Sequence, residues 1–262
     1  MTSGPSERRN RLGLPGWCEP LVLAMQFLTR IPMPDLGLLE HSQVGRSLLW
    51  YPAVGGLIGT VLWLAQLLLQ ALLPDLWSVQ AGLLLLVWCL LTGGLHLDGL
   101  ADSADAWAGG LGDRARSLEL MKDPTCGPAA VMVLVLVLLV KFSTLAALIA
   151  TAPGGLIVAP LVARALLLLL FLSTDYVRAG GLGEVLSQYF PRQQARYLLA
   201  ALVLLLVCFG ASGILVLLCS LLLFAGLRLL MCRRLGGTTG DTAGALVELS
   251  EAVVLLALLL GG

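Results

Sequence analysis

The sequence has little charge, few histidines and no paired-cysteine motif. Of its 262 residues, 12% are charged, the formal net charge is zero, and only two are histidine. The six cysteines form no CxxC pair and have no metal-ligand spacing with the histidines, which argues against a zinc site. Most of them lie in or beside apolar segments, where a free cysteine behaves as a small hydrophobe. A chain with no net charge gives no indication of nucleic-acid binding.

Several familiar catalytic motifs are also missing. The sequence contains neither GxxxxGK[ST] nor GxGxxG, so it predicts no P-loop and no dinucleotide-binding fold. No Ser-His-Asp or Cys-His arrangement indicates nucleophilic catalysis. We find no internal repeat and no segment with the composition of a separate soluble domain.

Apolar residues are the most abundant class in the sequence. They make up 58% of the chain, and the mean hydropathy is +0.94. This content exceeds that of soluble globular domains and predicts a polytopic membrane protein. We expect an all-α helical bundle forming one membrane-embedded catalytic domain over residues 1–262, with residues 1–16 as a disordered tail.

About seven transmembrane helices are expected, because each must cross roughly 30 Å of hydrocarbon. Continuous apolar runs of sufficient length are Tyr51–Leu73, Val79–Leu97, Pro128–Ala150, Leu156–Ser173 and Ala243–Leu260. The run Tyr197–Met231 is long enough for one tilted helix or for a hairpin that turns near Gly210–Gly213. Pro20–Ile31 is too short to span and suits an interfacial or re-entrant helix.

Basic residues indicate the orientation. Connections rich in arginine and lysine alternate with Pro74–Ser78 and Thr151–Gly155, which carry none. The positive-inside rule therefore places the N-terminus in the cytoplasm. Arg233 and Arg234 share that side only if Tyr197–Met231 is a hairpin. We expect an integral protein of the bacterial inner membrane with its acidic clusters at the cytoplasmic face.

The first acidic cluster follows the second apolar run. Asp98, Asp102 and Asp105 lie within an arc of roughly 60° on a helix that turns about 100° per residue. Like charges this close repel one another, and an all-oxygen cluster suits Mg²⁺ or Mn²⁺. The alternative interpretation is an ordinary solvated acidic cap on a helix.

The second cluster is Gly-Gly-Thr-Thr-Gly-Asp at 236–241, followed by Glu248. Its glycines and threonines precede a helix whose first N–H groups could bind an anion, which makes Thr239, Gly240 and Asp241 candidate phosphate-binding residues. Simple helix capping by Thr238 or Thr239 is the alternative.

Cations that could face phosphate complete the predicted site. They are Arg30, Arg46, Arg114, Lys122 and Arg164. Arg164 and Lys141 fall inside apolar runs, so a structural ion pair or snorkelling is an alternative to ligand binding. Carboxylates, arginines and a Gly/Thr loop together are typical of metal-assisted phosphoryl transfer.

Five segments in order make the sequence similar to the cobalamin synthase family over nearly its whole length. They are FLTRIPMP at 27–34, YPAVGGLIG at 51–59, LHLDGLADSADAWAGG at 95–110, LELMKDPTCG at 118–127 and GGTTGDTAGALVELSE at 236–251. The chain departs from the family after Lys122-Asp123, where Pro124-Thr125-Cys126-Gly127 stands in place of a segment that often contains arginine. If that arginine contacts phosphate, another residue such as Arg114 takes its place here.

The resemblance implies a reaction. A hydroxyl of α-ribazole, or of its 5′-phosphate, attacks adenosylcobinamide-GDP with Mg²⁺ present, GMP leaves, and adenosylcobalamin or its 5′-phosphate forms. It also implies site residues, with metal ligands at Asp98, Asp102 and Asp105, catalytic roles for Lys122 and Asp123, and substrate-binding roles for Asp241 and Glu248. Assembly as a homo-oligomer, or with other membrane-bound corrinoid enzymes, is compatible with this interpretation.

Two rival functions are weighed against it. A CDP-alcohol phosphotransferase also has a membrane-embedded aspartate cluster, but its signature places arginine after the alanine that precedes Asp102 here. A cation transporter would stagger its acidic residues through the bilayer, in repeated halves with broken helices. In this chain the acidic residues instead gather on one side.

Overall fold

The computed structural model describes residues 18–37 and 39–262, so the tail expected at 1–16 lies outside it. Within these ranges the chain is all-α, as predicted, with twelve α-helices. They are α1 (Glu19–Leu28), α2 (His41–Ser47), α3 (Tyr51–Leu72), α4 (Trp77–Thr92), α5 (Leu95–Gly109), α6 (Arg114–Leu120), α7 (Pro128–Thr151), α8 (Gly155–Ser173), α9 (Leu182–Gln188), α10 (Arg192–Cys208), α11 (Gly210–Leu235) and α12 (Gly240–Gly261).

Among the described residues, five helices, α3, α7, α8, α11 and α12, are long and apolar enough to cross a membrane, and the bent pair α4–α5 is a sixth candidate. This number is approximately consistent with the expected seven. Helices α4 and α10 have 16 and 17 residues. The chain is therefore an integral membrane protein. Helix α1 has only ten residues, which fits the expectation that this segment is too short to span.

Helix α8 is the centre of the bundle and packs closely against α3. A Cβ atom on Gly55 would lie 2.4 Å from the carbonyl oxygen of Pro160, and one on Gly59 would lie 2.5 Å from the Cα atom of Ile157. Only glycine allows two helices to approach this closely. The pairing of 55 with 160 and 59 with 157 makes the two helices antiparallel. The start of α3 and the end of α8 thus lie at the same end of the bundle.

The predicted span Val79–Leu97 is wrong at its C-terminal end. Helix α4 stops at Thr92, and the chain turns by 89° before α5 begins at Leu95. Gly93 and Gly94 make the turn with φ angles of 65° and 69°, a left-handed conformation that glycine adopts readily. Helix α5 is consequently a separate element and does not extend the span.

The run Tyr197–Met231 is a hairpin. Helix α10 ends at Cys208 and α11 begins at Gly210, which has a φ of 69°, within the segment where the sequence predicts the turn. Near its end, α11 returns to α8, because Arg228 donates hydrogen bonds to the carbonyl oxygen of Ser173 and to Thr174. This return brings Arg233 and Arg234 to the same end of the bundle as the start of α10.

Candidate active site

The first acidic cluster meets the second where α5 crosses the start of α12. A Cβ atom on Gly99 would lie 2.7 Å from the carbonyl oxygen of Asp241, and one on Gly244 would lie 3.3 Å from the Cα atom of His96. Glycine on both helices permits this approach. The crossing brings Asp98 and Asp102 close to Asp241, although they are more than 130 positions apart in the sequence.

A polar groove of about 500 Å³ opens beside the crossing. Asp98 and Asp102 line it together with Arg30, the glycine pair at 93–94 and Cys126. The Arg30 side chain lies against Gly93, and its backbone N–H donates to the carbonyl oxygen of Leu91 at 2.7 Å. The predicted phosphate-binding cation Arg30 thus faces the same space as two predicted catalytic carboxylates.

A second space, an apolar cavity of about 160 Å³, lies on the other side of Asp98. Aromatic and leucine side chains dominate its wall, and Asp98 and Asp241 contribute carboxylates. Two stacked ring pairs border it, Phe27 with Tyr51 at 6.1 Å and Phe171 with Tyr176 at 6.2 Å between ring centroids. Asp98 lines both the cavity and the groove, so it stands between the two spaces.

The pKa of the Asp102 carboxyl group is higher than that of an ordinary aspartate. Partial burial raises its pKa to about 6, with further contributions from the neighbouring carboxylates of Asp98 and Asp241, while Arg178 opposes the shift. Neighbouring carboxylates that raise the pKa of an aspartate mark a position that favours a cation. The donor chemistry therefore fits Mg²⁺, which takes oxygen ligands.

The raised pKa leads to a prediction about stability. A group whose pKa is higher in the folded state stabilises the fold below its unfolded pKa and loses that contribution as the pH rises through the folded value. We therefore expect Asp102→Asn, measured with chelator present, to unfold at a higher temperature than wild type at pH 8 and at the same temperature near pH 4. Thermal unfolding in detergent at several pH values measures this difference. A pH-independent difference would contradict it.

Asp105, the third member of the predicted metal set, has different partners. Its carboxylate oxygens accept hydrogen bonds from the backbone N–H groups of Gly127 at 2.6 Å and Ala130 at 3.0 Å, at the start of α7. A carboxylate in this position satisfies N–H groups that the helix leaves free. Among the described residues, no group of three or more His, Cys, Asp or Glu side chains is placed to hold one metal ion. Asp98 and Asp102 are the two carboxylates of the set that face the groove.

The Gly/Thr loop caps α12 and positions Asp241. Thr239 is the N-cap, and reciprocal hydrogen bonds with Thr242 form a capping box. The capping alternative for this loop is thus confirmed. Asp241 accepts a hydrogen bond of 2.8 Å from Arg178. Gly240, at the first position of the helix, lines the cavity beside Asp241.

The other predicted cations and Asp123 lie outside the groove. Lys122 and Arg46 are exposed, and Arg114 lies next to Gly236 at the Gly/Thr loop. Asp123 is exposed and accepts two hydrogen bonds from Thr125, which hold its pKa below the usual range. It lines a separate surface depression with Asp105. None of these four residues, Arg46, Arg114, Lys122 and Asp123, lines the groove that contains Asp98.

Glu248 and Arg164 belong to a buried ion network and do not line the groove. Glu251 accepts hydrogen bonds from Arg164 and, at 2.5 Å, from Lys141, which also donates to Glu248 at 2.9 Å. All four side chains are at most 5% exposed. The structural ion pair considered for Lys141 and Arg164 is therefore the observed arrangement, and it gives no support to phosphate binding by Glu248 or Arg164.

Sequence reasoning missed Arg178 and the aromatic cavity wall. Arg178 follows a short backbone pairing in which Thr238 donates to Asp175 and Val177 donates to Thr238, at 2.8 and 2.9 Å. No local pattern indicates this long-range pairing. The sequence held one indication of the cavity wall, because Phe27 and Tyr51 lie in two of the five segments described above.

Comparisons with known proteins identify relatives that match most of the chain. The family model described as cobalamin-5-phosphate synthase matches residues 20–259. A protein of Pseudomonas entomophila (strain L48) is 55% identical over 92% of this chain and 98% of its own length. Relatives from Stutzerimonas stutzeri (strain A1501) and Pseudomonas putida (strain F1) are 54% and 56% identical, over 92% of this chain and 98% and 99% of their own lengths. All three carry the name adenosylcobinamide-GDP ribazoletransferase. No solved structure matches the chain.

Proposed function

The chain belongs to the cobalamin-5-phosphate synthase family, and from that membership we propose how its groove and cavity carry out the transfer. It is an integral membrane enzyme, an adenosylcobinamide-GDP ribazoletransferase, which joins ribazole to adenosylcobinamide-GDP in cobalamin synthesis. The observation that carries the mechanism is the position of Asp98. Its side chain lies where the two spaces meet, so it can contact both substrates at once.

The reaction is a displacement at phosphorus. The 3′-hydroxyl oxygen of ribazole attacks the phosphorus linked to cobinamide, a new P–O bond forms, and the P–O bond to GMP breaks. GMP carries away the electron pair of that bond. The attacking hydroxyl loses its proton during the step, so the site needs a proton acceptor next to the oxygen and cations next to the diphosphate.

The diphosphate lies in the groove in this proposal. Arg30 is the cation that lines it, and a guanidinium can bind phosphate oxygens through two parallel N–H donors. The groove is also the larger and more open of the two spaces. A substrate as large as a corrinoid nucleotide can therefore place its diphosphate there while its corrin ring remains outside.

Asp98 is the proton acceptor in this mechanism. Asp241 is paired with Arg178 and Asp105 accepts N–H groups of α7, whereas Asp98 is exposed to both spaces. Its contribution comes mainly from its position next to the attacking oxygen.

Asp98 and Asp102 are the residues that would hold Mg²⁺. When bound, the ion supplies positive charge that offsets the negative charge of the diphosphate and of the leaving GMP. Mg²⁺ is commonly held by one or two carboxylates together with substrate phosphates, so two aspartates suffice.

We place this site at the cytoplasmic face of the inner membrane. Exposed basic residues accumulate at the end of the bundle that carries the groove, among them Arg30, Arg46, Arg114 and Lys122. The connections at the opposite end, around Pro74–Ser78 and Thr151–Gly155, have none. The positive-inside rule then puts the groove and the N-terminus in the cytoplasm.

The proposal is tested with purified protein in liposomes. Adenosylcobinamide-GDP, Mg²⁺ and either α-ribazole or its 5′-phosphate are supplied, and GMP and the cobalamin product are separated by chromatography. We expect equimolar GMP and adenosylcobalamin, or its 5′-phosphate with the phosphorylated nucleoside. Removal of divalent ions with EDTA should lower turnover at least 100-fold, and added Mg²⁺ should restore it.

A relative from Pseudomonas putida, reconstituted in the same liposomes, is the positive control. Absence of product from this chain while the relative is active would overturn the activity. Full turnover in EDTA would leave the activity standing and remove Mg²⁺ from the mechanism.

A further inference from the structure

The residues that line the apolar cavity beside Asp98 indicate which kind of ligand it can bind. Phe27, Tyr51, Phe171 and Tyr176 provide aromatic rings on two sides, and Leu167 and Leu186 are both under 5% exposed. A cavity of about 160 Å³ is close to the ~150 Å³ that accepts a benzene molecule in an apolar protein interior. It has room for a flat aromatic ring system and is far too small for a corrin.

His96 gives the cavity one polar atom with no partner. The imidazole is 4% exposed and lines the cavity, and within the described residues its Nδ1 has no hydrogen-bond partner. An imidazole ring nitrogen can carry an N–H, so His96 can donate a hydrogen bond into the cavity. A buried polar atom without a partner is unfavourable, and a ligand that hydrogen-bonds to it removes that penalty.

We propose that this cavity binds the benzimidazole base of ribazole, stacked among the aromatic rings and hydrogen-bonded through its free ring nitrogen to His96. This inference rests on the proposed function, because ribazole is the substrate of that reaction. The base is flat and largely apolar, and apart from its link to ribose it has one ring nitrogen that accepts a hydrogen bond. The cavity wall offers matching properties.

The position of Asp98 supports the same assignment. Asp98 is exposed and also lines the groove, so it marks the mouth of the cavity, whereas the buried His96, Leu167 and Leu186 mark its inner wall. A nucleoside with its base against the inner wall directs its ribose toward the mouth. The 3′-hydroxyl then reaches Asp98 and the diphosphate in the groove.

Guanine, the other base among the substrates, matches the wall less well. It has several donors and acceptors, and each needs a partner when the base is buried. The wall supplies mainly carbon atoms, and its buried polar atoms without a partner among the described residues are His96 Nδ1 and the Tyr51 hydroxyl, fewer than guanine needs. The guanosine part of adenosylcobinamide-GDP therefore belongs with its diphosphate in the open groove.

The first experiment compares ribazole with an analogue whose base is indole, in which CH replaces the free ring nitrogen. For the wild-type enzyme in liposomes we expect kcat/KM at least 10-fold lower for the indole nucleoside. In His96→Leu the value for ribazole should fall about 10-fold and the discrimination should disappear. His96→Asn, which keeps a polar atom near the Nδ1 position, should retain part of it. The KM for adenosylcobinamide-GDP should change less than twofold in each case.

A cavity-filling variant tests the location independently of His96. Leu186→Phe adds volume at the inner wall and should raise the KM for ribazole at least 10-fold, with little effect on the KM for adenosylcobinamide-GDP. Leu222→Phe, on the exposed face of α11 at 77% exposure, is the matched control and should leave both values unchanged. A higher KM for adenosylcobinamide-GDP in Leu186→Phe, with ribazole unaffected, would overturn the assignment.

Equilibrium dialysis of ribazole without the second substrate separates this inference from the proposed reaction. Wild type should bind ribazole at least 10-fold more tightly than Leu186→Phe, and GDP should not displace it. Displacement by GDP, or equal binding by the two proteins, would refute the base site even if turnover is normal. If the wild-type protein binds ribazole in the cavity but makes no product, the proposed reaction is wrong and the proposed base site is retained.

Discussion

Asp98→Asn is expected to lower turnover by about 10²–10⁴, the range typical of a lost general base. The substitution keeps the size of the side chain and the lining of both spaces, but an amide cannot accept the proton of the attacking hydroxyl and would bind Mg²⁺ more weakly than a carboxylate. With Mg²⁺ in excess, the KM values for both substrates should change much less than kcat. Steady-state kinetics in liposomes, with each substrate varied in turn, measure the two effects separately.

Asp75→Asn provides the matched control for this variant. Asp75 lies in the turn between α3 and α4, at the end of the bundle away from the groove, and its φ of 62° is a conformation that asparagine tolerates. We expect wild-type turnover from it and an unchanged unfolding temperature from both variants. Turnover above one tenth of wild type in Asp98→Asn would remove Asp98 from the proton transfer.

Glu251→Gln is expected to destabilise the protein by about 3–5 kcal/mol, the range seen when one partner of a buried ion pair is removed. Glu251 is fully buried and accepts hydrogen bonds from both Lys141 and Arg164, with Glu248 as the fourth member of a network that is neutral overall. The amide leaves two buried cations facing one carboxylate. The unfolding temperature in detergent and the yield of folded protein measure the loss.

Two further variants distinguish charge imbalance from altered packing. Glu248→Gln should be less destabilising, because Lys141 keeps Glu251 and also lies 4.3 Å from the centre of the Trp88 ring. The pair Arg164→Gln with Glu251→Gln removes one charge of each sign and should recover part of the stability lost in the single variant. If Glu251→Gln unfolds at the wild-type temperature, the network contributes no stability.

The sequence predicted an all-α membrane protein and approximately its number of spans, because long apolar runs and basic connections obey simple rules of the bilayer. It left one tilted helix and a hairpin open for 197–231, and the positions of Arg233 and Arg234 favoured the hairpin that the structure shows. The end of α4 was missed because the residues after Gly94 continue with leucines, and periodicity cannot detect a bend made by two glycines.

The candidate site could be predicted in part. Asp98 and Asp102 face one groove because their spacing places them on one side of a helix, whereas Arg30 reaches the groove through a contact with Leu91, 61 positions later in the sequence. The partners of Asp105, Glu248 and Arg164 could not be predicted in the same way. Each depends on a helix more than 20 residues away in the sequence, and a carboxylate that caps a helix or joins an ion pair has the same local sequence context as one that binds a ligand.

The turn at Gly93 and Gly94 also decides where the acidic segment lies relative to the span that precedes it. If α4 continued straight, its next residues would project beyond the end of the bundle and carry Asp98 and Asp102 away from α12. Because the helix stops at Thr92 and the chain bends by 89°, α5 instead runs across the end of the bundle, where Gly99 packs against Asp241. Two glycines thus convert the exit of a transmembrane helix into a platform for the acidic side chains.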